Sequence, residues 1–304
     1  MEQDWAYHKP VMLQESIDGL AIQPEGIYVD VTFGGGGHSK EILSRLGPNG
    51  RLYAFDQDQD AANNVIDDNR FKLLPFNFRY LKRCLRLEGV KKVDGILADL
   101  GVSSHQFDEA DRGFAFRLDA QLDMRMNQED EFDAKQLIKT YSAEELQRVF
   151  GEYGEIRNAR TLAQHIVAQR DSNKIETVNQ LVDIIGSCIR GKRNKYLAQV
   201  FQALRIEVNA EIEVLKEMLL QAVEVLKTDG LLSVISYHSL EDRLVKHLIR
   251  NGVFEKEPEK DLYGRFYQPL KAINRKVIMP TDEEIKDNPR ARSARLRVAK
   301  KIVE

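Results

Sequence analysis

The sequence predicts an α/β protein in which a doubly wound parallel sheet is interrupted by a helical insert. Three observations predict it. Apolar runs of strand length alternate with helical or short connecting stretches through about the first hundred residues. That rhythm then stops for about a hundred residues of helical periodicity, and it resumes with one more strand-like run near residue 230.

The strand-like runs are "GIYVDV" (26–31), "RLYAFD" (51–56), "FKLLPF" (71–76), "DGILADL" (94–100) and "GLLSVISY" (230–237). Between the first two, "HSKEILSRLGPNG" reads as a compact helix stopped by Gly47 and Pro48; after the second, "QDAANNVIDDN" has helical length. Strands alternating with helices at this spacing form a parallel sheet covered on both faces. From about 108 to 207 the signals are helical. "SAEELQRVFGEYG" (142–154) opens with Ser142 and Glu145 at capping-box spacing, and "NARTLAQHIVAQR" (158–170) and "TVNQLVDIIGSCI" (177–189) place apolar residues three and four apart. The insert ends in one long helix whose stripe is Val208, Ile212, Leu215, Leu219, Ala222 and Leu226, stopped by "KTDG" (227–230). In the tail, "KAINRKVI" (271–278) and "SARLRVAKKI" (293–302) are strand candidates whose charges alternate with apolar residues. The expected division is a core of residues 1–107 and 208–304 around an insert of 108–207.

Composition narrows the classes. With 304 residues, 42% hydrophobic and 31% charged, the chain is ordinary globular protein, and no apolar run approaches the roughly 18 residues of a membrane span. The N-terminal "MEQDWAYHKP" carries acids and no apolar core of a signal peptide, so a soluble cytoplasmic protein without a membrane partner is expected. Two distant cysteines, Cys84 and Cys188, and six histidines without HExxH spacing indicate neither a disulfide framework nor a metal site. A net charge of −3 argues against a globally basic nucleic-acid binder, but two stretches are locally basic: "RGKRNK" (190–195) and "RARSARLR" (290–297).

Residues 29–39 read "VDVTFGGGGHS", four consecutive glycines at the end of a strand. A P-loop needs GxxxxGK[ST], and here Ser39 and Lys40 follow in the wrong order. A dinucleotide fingerprint needs GxGxxG; counted from Gly34 it reaches Gly36 and then Ser39, which weakens a nicotinamide reading without excluding it. Asp56 ends the second strand, where a carboxylate can accept both ribose hydroxyls of an adenosine. S-adenosylmethionine satisfies this pattern without a pyrophosphate, its aminoacyl arm using bare backbone and the N–H groups that start the next helix. A plain tight turn, and a helix-capping role for Asp56 that Asp58 fits at least as well, are the structural alternatives. After the fourth strand comes "ADLGVSSHQFD" (98–108), and after the fifth "SYHSLEDR" (236–243); in an open α/β sheet these ends face the same crevice.

Taken together, "HKPVML" (8–13), "DVTFGGGGHS" (30–39), "AFDQD" (54–58), "NFRYL" (77–81), "DGILADLGVSSHQFD" (94–108), "RGFAF" and "LDMRM" (112–126), "VFGEYGEIRNARTLA" (149–163), "QALRIEVNAE" (202–211), "ISYHSLEDRLVK" (235–246) and "NPRARSARLRV" (288–298) resemble the RsmH family, formerly MraW, of S-adenosylmethionine-dependent ribosomal RNA small subunit methyltransferases. The resemblance covers nearly the whole chain. It implies a class I, Rossmann-like methyltransferase sheet with a small helical insertion domain, and methylation of the exocyclic N4 of one cytidine in the decoding region of 16S rRNA on the small (30S) subunit. Cofactor contacts carried over by it fall on Gly36, Gly37, His38, Asp56, Phe78, Asp99 and Gln106. Two departures from wider methyltransferase patterns stand out. Thr32 replaces the first glycine of the acid-x-Gly-x-Gly-x-Gly motif, and "DLGVSS" stands where many amino-methyltransferases have Asp-Pro-Pro-Tyr.

Methyl transfer needs sulfur, methyl carbon and nitrogen nearly in line, and orientation of that kind is worth about 7–11 kcal/mol. The expected catalytic groups are Asp99 first, then Ser103, Ser104 and His238 lining the target pocket, with Asp123 a third choice. Extruding a base costs a few kcal/mol, which RNA contacts would offset; the candidate phosphate grips are Arg190, Lys192, Arg193 and Lys195 in the insert and Arg290 and Arg292 near the C-terminus, with Arg157 and Arg160 as additions. The aromatics of "DLYGRFYQP" (261–269) are candidates for stacking on bases or for burial against the sheet. Three readings stay open: the RNA methyltransferase, a nicotinamide-dependent dehydrogenase, and a non-catalytic adenosylmethionine-binding assembly factor. A homodimer is also open.

Overall fold

The computed structural model describes residues 10–102, 109 and 112–303. The chain folds as two compact units, residues 1–101 with 213–304 and residues 102–212, against the 108 and 207 expected from the sequence.

The first unit is a seven-stranded sheet. In chain order its elements are α1 (Leu13–Asp18), β1 (Ile27–Asp30), α2 (Gly37–Arg45), β2 (Arg51–Phe55), β3 (Phe71–Leu74), α3 (Leu81–Leu87) and β4 (Val93–Asp99). The second unit interrupts the order here with α4 (Ala134–Thr140), α5 (Ala143–Glu152), α6 (Ala159–Arg170), α7 (Val178–Ile185) and α8 (Arg193–Val208). Then follow α9 (Glu211–Val225), β5 (Leu226–Ser236), α10 (Ser239–Asn251), β6 (Leu270–Ala272), α11 (Asp282–Asp287) and β7 (Arg295–Lys301). The strand order is β3-β2-β1-β4-β5-β7-β6, parallel from β3 to β5 with β7 antiparallel to both its neighbours. This is the Rossmann-like arrangement expected of the class.

Alternation along the strands builds two cores. Val29 of β1 and Ile96 of β4 join a large cluster with Leu81 and Leu85 of α3, Met218 and Leu219 of α9, and Val245 and Leu248 of α10. Their neighbours Tyr28 and Leu97 point to the opposite face and pack with Ile17 of α1 and Ile42 of α2. Successive side chains of a strand alternate faces, so a strand apolar at consecutive positions is one buried on both sides.

The helical unit follows its local signals closely. Ser142 and Glu145 form a reciprocal capping box at the start of α5, and Thr177 and Gln180 form another at α7. Leu146, Phe150, Leu162, Ile166, Leu181, Ile185, Val200 and Leu204 are buried to within 1% of complete. At about 25 cal/mol per Å2 of apolar surface, each such side chain contributes roughly 1.5–3 kcal/mol relative to exposure.

Four expectations need correction. The single long helix through Val208 is two helices: Val208 ends α8, Ala210 adopts a left-handed φ of 48°, and α9 starts at Glu211. The break has a tertiary cause. Asn209 Oδ1 accepts from the Met126 N–H at 2.7 Å, and its Nδ2 donates to the carbonyls of Met124 and Arg205, both at 2.8 Å. Second, "KTDG" does not separate helix from strand. Leu226 already pairs with Val93, and the next residues form a bulge, with Asp229 at φ 66°, before pairing resumes at Leu231. Third, "KAINRKVI" holds only the end of β6; Ile278 rejoins the sheet through an isolated bridge to Leu296. The stretch "QDAANN" is a 3-10 turn rather than an α-helix, capped by Asp58 accepting from the Asp60 N–H at 3.1 Å. No helix among the described residues is long and apolar enough to cross a membrane, and Cys84 and Cys188 are buried free thiols.

Candidate functional site

The carboxyl ends of β1, β2, β4 and β5 are tied to one another by side chains. After β1 the chain makes a tight turn, the Gly36 N–H donating to the Phe33 carbonyl at 2.8 Å, and Gly36 takes a φ of 75°, a left-handed conformation that glycine adopts without strain. Gly36 is the N-cap of α2 and offers no side-chain cap, so the first-turn N–H groups of α2 have no side-chain acceptor there. A Cβ on Gly37 would stand 2.1 Å from Pro10 Cγ, so any larger residue there forces the Pro10 ring to move.

Asp56, one residue past β2, accepts from the Gly34 N–H at 2.8 Å through Oδ2 and from the Asp58 N–H at 2.9 Å through Oδ1. Each oxygen keeps a further lone pair, so the carboxylate can still take two hydroxyl donors. Burial pushes its pKa up to about 6, against the two backbone N–H bonds that pull it down. Asn64 Nδ2 donates to the Gly34 carbonyl at 3.1 Å and holds the other side of the turn.

Asp99 ends β4. Its N–H donates to Thr32 Oγ1 at 2.7 Å, a bond that the glycine usual at that position could not make. Its Oδ1 accepts from the Tyr237 hydroxyl at 2.7 Å. His38, on the first turn of α2, lies with Nε2 3.1 Å from the Val11 carbonyl; a carbonyl only accepts, so Nε2 carries a hydrogen, and Nδ1 faces Asp99 Oδ2 at 3.9 Å. Burial raises the Asp99 pKa to about 6, opposed by the His38 ring and the Tyr237 hydroxyl. Burial, with Asp99 next to it, holds the Tyr237 hydroxyl well above its usual range, so it stays a donor. Beneath both, fully buried Asp30 accepts from Ser39 Oγ at 2.7 Å and from the Thr32 N–H at 3.1 Å, and burial raises its pKa too. Three carboxylates thus converge where neither lysine nor arginine is among the groups that shift them.

The structure brings together Gly36, Gly37, His38, Asp56 and Asp99. Phe78 is half-buried at the start of the turn that follows β3, capped by Asn77 accepting from the Arg79 N–H at 2.9 Å. Ser103, Ser104 and Gln106 lie outside the described residues. His238 is the N-cap of α10: its Nδ1 accepts from the Glu241 N–H at 3.5 Å, Glu241 Oε2 accepts from the His238 N–H at 3.3 Å, and Nε2 is buried 3.1 Å from Glu241 Oε1. The side chain of this segment that reaches Asp99 is its neighbour Tyr237. The sequence draws attention to His238 instead because histidine is the habitual acid–base residue; an alternating strand ending in "ISYH" is the signal that favours Tyr237.

Asp123 is in the helical unit and is gripped by Arg125 through 2.8 and 2.7 Å bonds from Nε and Nη2. Those contacts hold its pKa below the ordinary value despite burial. The insert cations Arg190, Lys192, Arg193 and Lys195 are all exposed, the last two on the first turn of α8, and Arg157 and Arg160 are exposed as well. In "RARSARLR", Arg295 and Arg297 are committed to Asp242, whereas Arg290 and Arg292 are exposed. Leu262, Tyr263 and Tyr267 of "DLYGRFYQP" are exposed, not packed against the sheet.

Residues 5–302 of the chain match the MraW methylase family. The chain belongs to that family. It is 62% identical over 297 residues to the ribosomal RNA small subunit methyltransferase H of Christiangramia forsetii, covering 97% of this chain and 98% of that one. The protein of the same name from Flavobacterium johnsoniae is 59% identical over 297 residues, with the same shares covered, and that of Parabacteroides distasonis is 54% identical over 303 residues, covering 99% of both chains. As a member of the MraW methylase family the protein is a methyltransferase, and the ring of strand ends around Asp56 and Asp99 is the candidate place for methyl transfer.

Proposed function

We propose that the protein transfers the methyl group of S-adenosylmethionine to the exocyclic N4 of a cytidine in the decoding region of 16S rRNA, acting on the small (30S) subunit. The observation that carries this reading is the hydrogen-bonded joining of four strand ends, Gly34 to Asp56, Thr32 to Asp99 and Asp99 to Tyr237, in a chain of a methylase family.

The residues present fit the donor. A Cβ on Gly35 would meet nothing within 4 Å, so the bare turn faces open space. Gly37 and His38 offer first-turn N–H groups of α2 to an aminoacyl carboxylate, Gly36 gives it bare backbone to approach, Asp56 offers acceptor lone pairs to ribose hydroxyls, and Phe78 offers a ring to an adenine. When bound, S-adenosylmethionine supplies an electrophilic methyl on a positively charged sulfur. The N4 lone pair of cytosine is delocalised into its ring, so the protein must orient the amine and accept a hydrogen from it. Asp99 does this in its ionised form: it takes an N4–H hydrogen bond, which favours the geometry with a localised lone pair, and it receives the one proton the amine loses. The Tyr237 hydroxyl and Thr32 fix the direction of that carboxylate. A carboxylic acid already protonated accepts that hydrogen bond more weakly and cannot receive the proton, so the raised Asp99 pKa makes activity depend on pH near 6.

The test is incorporation of labelled methyl into small-subunit rRNA, with mass mapping of the nucleosides formed with and without the protein. Appearance of N4-methylcytidine at one position is the expected result. Tight binding of S-adenosylmethionine with no methyl transfer would point to a non-catalytic assembly factor, and a nicotinamide dinucleotide competing for the same crevice would point to the dehydrogenase.

A further inference from the structure

Helix α3 and the turn before it carry four cations in eight residues: Arg79, Lys82, Arg83 and Arg86. They divide into two pairs. Arg79 donates to Glu217 through bonds of 2.9 and 2.7 Å, and Lys82 pairs with Glu224, both acids standing on α9. Arg83 and Arg86 are exposed, and neither is in an ion pair among the described residues. Between the two acids of α9, Gln221 accepts from the Lys82 N–H at 2.9 Å and donates to the Arg79 carbonyl at 2.6 Å, which locks α3 against α9. The result is a groove of about 480 Å3 lined by Lys82, Arg83, Arg86, Leu87 and Gln221. In the stretch between β3 and α3, Phe76 and Tyr80 are 50% and 45% exposed, with the Arg79 guanidinium 6.0 Å from the centre of the Tyr80 ring.

The place and the chemistry are both informative. The segment leaves β3 at the edge of the sheet that holds the crevice, through Phe78, and Arg83 and Arg86 follow about 8 and 12 Å farther along at a rise of about 1.5 Å per residue. The Cβ atoms of residues three apart on a helix are about 5–6 Å apart, so Arg83 and Arg86 share one face of α3. With a net charge of −3 on the chain, attraction for a polyanion has to be local.

We propose that this groove is a second RNA-binding surface, in which Arg83 and Arg86 take neighbouring phosphates of a single strand and Tyr80 and Phe76 stack on its bases. The strand that leads to the target cytidine is thereby anchored on the sheet unit itself, in addition to the cations of the insert. The inference rests on the reading of the protein as an RNA methyltransferase. Single-stranded RNA presents a phosphate and a flat π-face at every nucleotide, which matches arginines interleaved with half-exposed rings; an acidic peptide would use the arginines and leave the rings idle.

The experiment compares full-length wild type, the double variant Arg83→Gln/Arg86→Gln and Tyr80→Ala for affinity to 16S rRNA across a salt series, with S-adenosylmethionine affinity as a check on the fold. Loss of two single-strand phosphate contacts makes the slope of log K against log salt shallower by about 1.4 and weakens binding about tenfold at physiological salt. Tyr80→Ala weakens binding about tenfold with its salt slope unchanged. Unchanged affinity and slope in the folded double variant would overturn the proposal. So would a Tyr80→Ala variant that binds normally while polyglutamate competes with the RNA, which would make the groove a docking place for acidic protein. Loss of RNA binding in these variants, beside a wild type that methylates no rRNA, would overturn the methyl-transfer reading and leave the groove standing.

Discussion

Asp99 at the carboxyl end of β4 and Asp123 in the helical unit are both half-buried aspartates, and their protons behave in opposite ways. Asp123 is held by Arg125, which donates to both of its oxygens, and its pKa is lowered. Asp99 has a tyrosine hydroxyl at 2.7 Å and a histidine ring at 3.9 Å, and its pKa is raised to about 6. The contrast teaches how to tell a carboxylate that holds a fold from one that the proposed mechanism can use as a base. The first has its charge neutralised from within the chain, and the second is desolvated with its charge uncompensated, at a cost to stability.

The most direct challenge to this contrast is to remove each charge in turn. Asp99→Asn should lower methyl transfer by about 100-fold to 10,000-fold, while raising the melting temperature at pH 8. The sign follows from linkage. A folded pKa of about 6 above the ordinary 3.8 means that stability falls as pH rises from about 4 to about 6, and the full cost is present above that. The gain from Asp99→Asn, about 1–3 kcal/mol, should therefore vanish near pH 4. Asp123→Asn should do the reverse. Its lowered pKa contributes stability above the unfolded value, so the variant should lose about 1–3 kcal/mol at neutral pH with turnover per folded molecule retained. Equal turnover of wild type and Asp99→Asn in a single-turnover assay would dissolve the distinction.

A smaller effect refines it. Tyr237→Phe removes the hydroxyl that favours ionised Asp99, so the acid limb of the activity profile should move to higher pH by about half a unit to one unit. The deficit should be largest near pH 6 and small at pH 8.5; a uniform loss across the range would mean that Tyr237 only packs. Asp56 supplies a parallel check. Its pKa of about 6 predicts that S-adenosylmethionine affinity, measured by calorimetry, falls as pH drops through that value, because the protonated acid loses acceptor capacity for ribose hydroxyls. The smallest expected change lies on the exposed insert. Lys192→Ala with Arg193→Ala should weaken rRNA binding severalfold and flatten its salt dependence, with no shift in the pH profile.

Much of this was legible in the linear chain where the physics is local. Capping boxes need only residues three apart, so Ser142 with Glu145 marked α5 before any packing was known. Apolar runs bounded by turns marked the first five strands, and the glycine run marked the tight turn after β1 to which Asp56 is bonded. Which arginines of "RARSARLR" are committed to the fold was a harder distinction. It turns on Asp242, 53 residues upstream of Arg295, which claims Arg295 and Arg297. The division of the expected long helix at Val208 was invisible because its cause, Asn209 bonding to Met124 and Met126, spans more than 80 residues.

The order of residues was therefore enough for the class of fold and for the capped helices between β4 and β5, since periodicity, capping and turn formation act within a few residues. Folding in three dimensions alone chose Tyr237 over His238 as the partner of Asp99, fitted Thr32 where glycine is usual, and left Arg83 and Arg86 uncompensated while Arg79 and Lys82 were neutralised. Those outcomes depend on which charges and donors meet across the sheet. Desolvation and pairing are set by neighbours in space, which the chain brings together only when its core closes.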